Sequence, residues 1–237
     1  MPYSTFPMER KSLILFVCAL LSLCSCKTTD TFNGINKDAQ SSNTGTSGTG
    51  YTALAEEVLA ELNFVRTNPK KYAHDVLTPR LQAFNGNIYA EPGKTPLETQ
   101  EGAAPVKECI KILNNTQPVA LLSLEQGLCL SAQWLADDQA RNELLGHTGS
   151  DGSSPSIRMN RYGTWGILCG ENCAYGSATA REIVAQLLID DGVPDRGHRT
   201  NILKKEFRKV GFGFSDKEKA PYGAVAVMDF AGSYTSE

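Results

Sequence analysis

The chain has 237 residues, 41% of them apolar and 21% charged, enough for one globular domain of ordinary size with a tail. A formal net charge of −3 argues against a basic surface that would hold nucleic acid by its phosphates. No run of about 18 apolar residues occurs, so no helix is expected to span a membrane by itself.

Residues 1–25 read as an export signal. Arg10 and Lys11 precede SLILFVCALLSLCSC, a run with the charge and length of a signal-peptide core, and MERKSLILF from Met8 is the more usual opening. Leu23-Cys24-Ser25-Cys26 resembles a bacterial lipobox: an aliphatic residue at −3, a small residue at −1 and a cysteine to carry lipid. The expectation is a lipoprotein signal peptide with Cys26 as the lipidated N-terminus; an ordinary cleaved signal with incidental cysteines is the alternative. Multiple acyl chains would anchor the protein stably. Sixteen of the 24 residues at 27–50 are Ser, Thr, Gly or Asn, too little apolar surface to offset ordering entropy. Residues 26–50 are therefore expected to be a flexible tether. Together these features predict an exported protein, a cell-envelope lipoprotein or an extracellular one, touching the membrane through its N-terminal lipid only.

The folded region is expected over 51–237. Leu54, Val58, Leu62 and Val65 recur at helical spacing and predict an amphipathic helix over 51–67. Asn68-Pro69 ends it, and a second short helix follows over 69–77. Residues 78–103 hold Pro79, Gly86, Pro92, Gly93 and Pro96 without periodicity, a loop long enough to be either functional or loosely ordered. A helix carrying Cys109 is expected over 104–114. In the next segment Ser123 and Gln126 read as a capping box. Leu124, Leu128, Leu135 and Ala136 give that helix an apolar face, and it runs to about 144, delivering His147 just past its end. Thr179 and Glu182 open a further helix, with Ile183, Val184, Leu187 and Leu188 toward the core and Gly192 and Pro194 as its stop. In GVPDRGHRTNIL the chain turns through Pro194–Gly197 into a short helix bearing His198. KVGFGFS and AVAVMDF read as strands joined by the loop DKEKAPYG, with an earlier strand at CGENCAYG. This order predicts an α+β domain with helices packed on an antiparallel sheet.

Three short stretches stand out: GHTGSDG around His147, CGENCAYG around Glu171 and DRGHRTNIL around His198. In that order, after an opening helix with L-N-x-x-R, they resemble the CAP superfamily, the extracellular SCP-like domain of cysteine-rich secretory proteins, an insect venom antigen and plant pathogenesis-related proteins. The resemblance covers roughly residues 54–232. It implies a three-layer α-β-α sandwich around a large cavity, with a tetrad of two histidines and two acids; some members hold a divalent ion, often zinc, on the histidines. His147 and His198 match the two histidine positions and Glu171 matches the glutamate of G-E-N. The other acid is expected about a dozen residues after the first histidine, where this chain has SIRMNR with Arg158 and no carboxylate.

The residue types support such a site on their own. Two neutral imidazoles and a carboxylate, His147, His198 and Glu171, form a plausible first shell for zinc or copper, and three protein ligands leave a position open. The plainer alternative is that both histidines are helix-end residues hydrogen-bonded to backbone or to Glu171. The leading functional expectation is a binding module whose cavity takes a divalent metal or a small ligand. One alternative is a metal-dependent hydrolase in which His147, Glu171 and His198 hold an activated water; another is lipid or sterol binding. H-E-x-x-H is absent, which excludes the usual helical metalloprotease. Asp190, Asp191 and Asp195 lack EF-hand spacing and read as a solvated helix end. Ser150 and Ser153 near His147 read as turn residues, His74 as a surface residue, and Arg196 and Arg199 as solvated or paired with Asp190, Asp191 or Asp195.

Cys109, Cys129, Cys169 and Cys173 remain once Cys26 is set aside. On an extended CGENC, Cys169, Glu171 and Cys173 share a face and the two sulfurs lie about 13 Å apart, too far to pair. A buried free thiol is a fair alternative for them. Cys109 and Cys129 lie on neighbouring helices flanking a connection with Pro118, and a disulfide between them is expected to stabilise by roughly 3 kcal/mol.

Overall fold

The computed structural model describes residues 50–237. The expected signal peptide, Cys26 and all of the tether but Gly50 lie outside the described residues. Helix α1 (Ala53–Thr67) starts at Thr52, whose Oγ1 accepts from the Ala55 N–H. Helix α2 (Pro69–Tyr72) continues as a π-helical turn, Ala73–Leu77. The long segment that follows is ordered: a 3₁₀ turn (Pro79–Ala83) leads into three two-residue strands, β1 (Phe84–Asn85), β2 (Ile88–Tyr89) and β3 (Leu97–Glu98), paired antiparallel in a small sheet. Helix α3 (Ala104–Asn115) comes next.

The main sheet has the order β4-β6-β7-β5, with β4 at Ser123–Leu124, β5 at Gly163–Tyr175, β6 at Lys209–Ser215 and β7 at Val225–Ser236. Its long strands are antiparallel; only the two-residue β4 pairs parallel, with β6. Ser123 is a strand residue rather than a cap: its N–H donates to the Arg208 carbonyl, and α4 (Gln126–Asn142) begins with Glu125 as N-cap and no side-chain cap. Helices α5 (Pro155–Met159), α6 (Ala180–Ile189) and α7 (Gly197–Leu203) complete the set. Thr179 caps α6 as expected, accepting from the Glu182 N–H.

Alternation along the strands sorts the molecule into three layers. Val210, Phe212, Ala226, Met228 and Phe230 pack with α1, α3, α6 and α7. On the other face Val225 and Val227 pack with Ala132, Leu135, Ala136 and Ala140 of α4, and Ala231 with Leu128 and Met159. The glycines of KVGFGFS point to that second face because α4 lies directly on the strand. A Cβ on Gly211 would come within 2.0 Å of the Leu128 carbonyl carbon, and one on Gly213 within 2.3 Å of that of Ala132.

The layering also overturns the expected disulfide. Cys109 and Cys129 are both free and buried. Cys109 belongs to the layer of α1 and α6, whereas Cys129, on α4, accepts from the Phe212 N–H on the opposite face of the sheet. The connection around Pro118 carries the chain past the sheet edge, so nearness in sequence becomes separation by a layer. Cys169 and Cys173 are likewise unpaired.

Candidate functional site

The three sequence motifs meet at one cavity of about 240 Å³. Its lining includes His147, His198, Cys173, Tyr175, Asp190 and Leu187, and the small sheet contributes Phe84, Tyr89 and Leu97. The long loop of the sequence is therefore a wall of the cavity. Asp191 fastens it by accepting from the Gln100 and Glu101 N–H groups at 2.7 and 2.8 Å.

His147 is set by the end of α4. Glu143 adopts a left-handed conformation (φ 57°) that stops the helix. Gly146, at φ 87°, is held by Gln139 Nε2 on its carbonyl (2.6 Å) and by the Tyr175 hydroxyl, which accepts from its N–H (2.8 Å). The polar turn beyond closes on itself. Asp138 accepts from the Ser150 N–H and hydroxyl, and Asp151 from those of Ser153. Both serine hydroxyls thus donate to aspartates, in keeping with a turn rather than a nucleophile.

Glu171 projects from β5 toward the α4 layer. Its Oε1 lies 2.9 Å from His147 Nδ1, and its Oε2 accepts from Arg158 Nη2 at 2.6 Å. Arg158, in the stretch where the resemblance led one to expect an acid, is fully buried. It also donates to the Ser153 and His147 carbonyls at 2.6 and 3.1 Å. Burial alone would raise the Glu171 carboxyl; the His147 contact and the Arg158 charge outweigh it and hold the group below its ordinary value. Glu171 does not line the cavity; it stands behind the His147 ring. Directly across the strand pair from Glu171 is Asp229, also fully buried. Burial, then the Glu171 charge, pushes its carboxyl well above the ordinary range.

His198 is set by the end of α6. That helix stops at Ile189, before Gly192 and Pro194, because Asp190 takes a left-handed conformation (φ 60°), which short polar side chains tolerate. Asp190 is 3% exposed, not a solvated helix end. Its Oδ2 accepts from the His198 N–H at 3.0 Å, and its Oδ1 lies 2.6 Å from His198 Nδ1. Sequence reasoning missed this acid. The available signal was a helix-stopping aspartate eight residues before a histidine, with a turn between them that could fold back. The motifs also lock to each other. Asn172 donates to the His198 carbonyl at 3.1 Å, and Asn201 donates to Asn172 Oδ1 at 2.9 Å.

The flanking arginines have other partners than expected. Arg199 is buried and donates to the Leu188 and Ile189 carbonyls and to Glu108. Arg196 pairs with Glu101 and Glu108, tying the turn before α7 to α3 and the segment leading into it. Asp195 accepts from the Gly197 N–H, and His74 is at the surface, 84% exposed.

The two cavity imidazoles have ring centres 6.4 Å apart. Each uses Nδ1 on a buried carboxylate, which leaves Nε2 as the nitrogen available to a ligand. Two metal–nitrogen bonds of about 2.0–2.1 Å at a tetrahedral angle place ring centres about 5 Å apart. The pair therefore fits a metal after closing by about 1 Å, or fits a slightly larger polar group as it stands. Cys173 completes the inner wall: its Sγ is 3.7 Å from His147 Nδ1 and 3.8 Å from Glu171 Oε1. Burial and the Glu171 charge push this thiol well above its ordinary value.

The model of the cysteine-rich secretory protein family, CAP, matches residues 113–230, a stretch that contains His147, Glu171 and His198. The uncharacterized protein YkwD of Bacillus subtilis is 26% identical over 129 residues, 53% of this chain and 46% of that protein. The match thus spans about half the length of this curated relative. Among solved structures, an outer surface protein of Borrelia burgdorferi is 21% identical, with 53% of this chain and 92% of that one covered and a TM-score of 0.41. An extracellular SCP-domain protein of Bacillus anthracis is also 21% identical, with 53% and 37% covered and a TM-score of 0.37. With the family model spanning both histidines and the glutamate, and the α+β sandwich gathering the three motifs at one cavity, the chain belongs to the CAP superfamily.

Proposed function

We propose that the chain is an exported CAP-domain protein, anchored by lipid on Cys26, whose cavity binds a divalent metal or a small polar ligand between His147 and His198. One observation carries the binding reading: both imidazoles face one cavity with Nδ1 held by a buried carboxylate, Glu171 behind His147 and Asp190 behind His198. A carboxylate behind each ring fixes its tautomer and orientation and strengthens the other nitrogen as a ligand. Imidazole donors suit zinc or copper, and a bound ion would supply a Lewis-acidic position with open coordination sites. Glu171 acts in this reading as the group that positions His147. No helix among the described residues is long and apolar enough to cross a membrane, which accords with attachment through the N-terminal lipid.

Calorimetric titration with zinc tests the proposal on the wild type, His147→Ala and His198→Ala. In the metal form of this reading, the binding seen in the wild type is lost in both variants while the fold persists, because each removes one of the two nitrogens that hold the ion. Equal affinity in all three proteins would mean that the histidines serve structure alone.

A further inference from the structure

We infer a second, inner metal position in this chain, formed by His147 Nδ1, Glu171 Oε1 and Cys173 Sγ, that takes a thiophilic divalent ion such as zinc. The three atoms are 2.9, 3.7 and 3.8 Å from one another. A point equidistant from them lies about 2.0 Å from each, within a few tenths of an ångström of zinc–nitrogen, zinc–oxygen and zinc–sulfur bond lengths. For tetrahedral zinc the edges would be about 3.3 to 3.6 Å. The imidazole and carboxylate therefore need to part by a few tenths of an ångström and the sulfur to approach by as little. The pair of Nε2 atoms, by contrast, needs the rings to close by about 1 Å.

The surroundings suit a cation. Glu171 stays anchored by Arg158 through its other oxygen, so Oε1 is presented from a fixed carboxylate. The Gly146 carbonyl lies 3.4 Å from Cys173 Sγ, a further oxygen beside the cluster. Asp229, paired across the strands with Glu171, has both carboxyl oxygens buried and without a hydrogen bond of ordinary geometry among the described residues.

Binding at the inner position has a defined proton balance. The metal displaces the proton of the Cys173 thiol to solvent, and the His147 proton resides on Nε2 once Nδ1 is a ligand. A neutral His147 cannot then offer Nε2 to a metal in the outer position. The two positions are mutually exclusive and one ion per chain is expected, so an ion at the inner position leaves the space between the two rings to the polar-ligand form of the function proposed above. The inner position does not depend on His198, which separates it from the function proposed above.

The test uses the full chain with cobalt(II) as a spectroscopic substitute for zinc, followed by zinc displacement. Thiolate coordination gives an intense sulfur-to-cobalt charge-transfer band in the near ultraviolet. The expected result is a band at one cobalt per chain that is absent in Cys173→Ser and kept in His198→Ala. Zinc affinity should fall at least about 100-fold in Cys173→Ser, the upper end of what losing even an outer-shell partner costs, and change less than about threefold in His198→Ala. Cys173→Ala serves as a second variant should serine in this buried position impair folding, which thermal unfolding reports. A band that survives both Cys173 variants, binding lost in His198→Ala but kept in Cys173→Ser, or no metal binding at all would overturn the inner position. The second of these outcomes would leave the His147–His198 reading standing, and the third would remove the metal form of both.

Discussion

Arg158→Met tests whether the buried pair beneath His147 holds the site in shape. Methionine keeps an unbranched chain but removes the contacts to Glu171, to the Ser153 carbonyl and to the His147 carbonyl. The Glu171 side chain is 1% exposed, so the variant leaves a carboxylate in the interior with an imidazole and a weakly donating thiol beside it but no paired charge. Removing one partner of a buried ion pair costs about 3–5 kcal/mol. At roughly 2–4 °C per kcal/mol for a domain of this size, calorimetry should show the Tm falling by about 10 °C. The double variant Arg158→Met/Glu171→Gln should recover more than half of that, because the penalty belongs to the stranded charge rather than to the missing guanidinium. The wild-type pH dependence follows from the same pair. The folded Glu171 carboxyl lies below its ordinary value of about 4.3. Its contribution is therefore present above that pH and lost as the pH falls through the folded value. In Arg158→Met the loss should begin at a higher pH. A single variant within about 1 kcal/mol of wild type at pH 7, or a double variant no more stable than the single, would refute the reasoning.

Asp229→Asn should raise the Tm at pH 7. The folded carboxyl lies well above its ordinary value, so folding at neutral pH forces a proton onto a group that is ionised in the unfolded chain, and the gain should shrink as the pH drops toward about 4. Gly213→Ala should destabilise by about 3 kcal/mol in urea titrations, since its Cβ would sit 2.3 Å from the α4 backbone and force the helix off the sheet. Reducing agent should leave the Tm of the folded domain unchanged, because Cys109, Cys129, Cys169 and Cys173 are all free; a drop of several degrees would restore the disulfide that the fold overturns.

The sequence by itself determined whatever depends on near neighbours. Leu54, Val58, Leu62 and Val65 mark α1 because helical periodicity repeats every three or four residues. KVGFGFS marks β6 because its valine and phenylalanines alternate with glycines, and the motifs around His147, Glu171 and His198 are short enough to be recognised without knowing what they touch. The tertiary structure decided everything that depends on which side of the sheet a segment reaches. Cys109 and Cys129 are nearby in sequence, yet a layer of strands separates them. The glycine-poor half of β5 was legible, but its full length, Gly163–Tyr175, exists only because β7 lies alongside to satisfy its backbone groups. Residues 78–103 carry no periodicity of their own and become a cavity wall because Asp191 and Arg196 reach across from the α6–α7 turn. Asp190 reads as a solvated helix end, since the turn before His198 permits the chain to fold back eight residues later but does not require it. Its burial and its grip on His198 arise from that return. Nothing in SIRMNR marks Arg158 as buried; β5 brings Glu171 within 2.6 Å of it. A buried charge is tolerable only beside its partner, and a partner thirteen residues away along the chain is brought into contact by the fold alone.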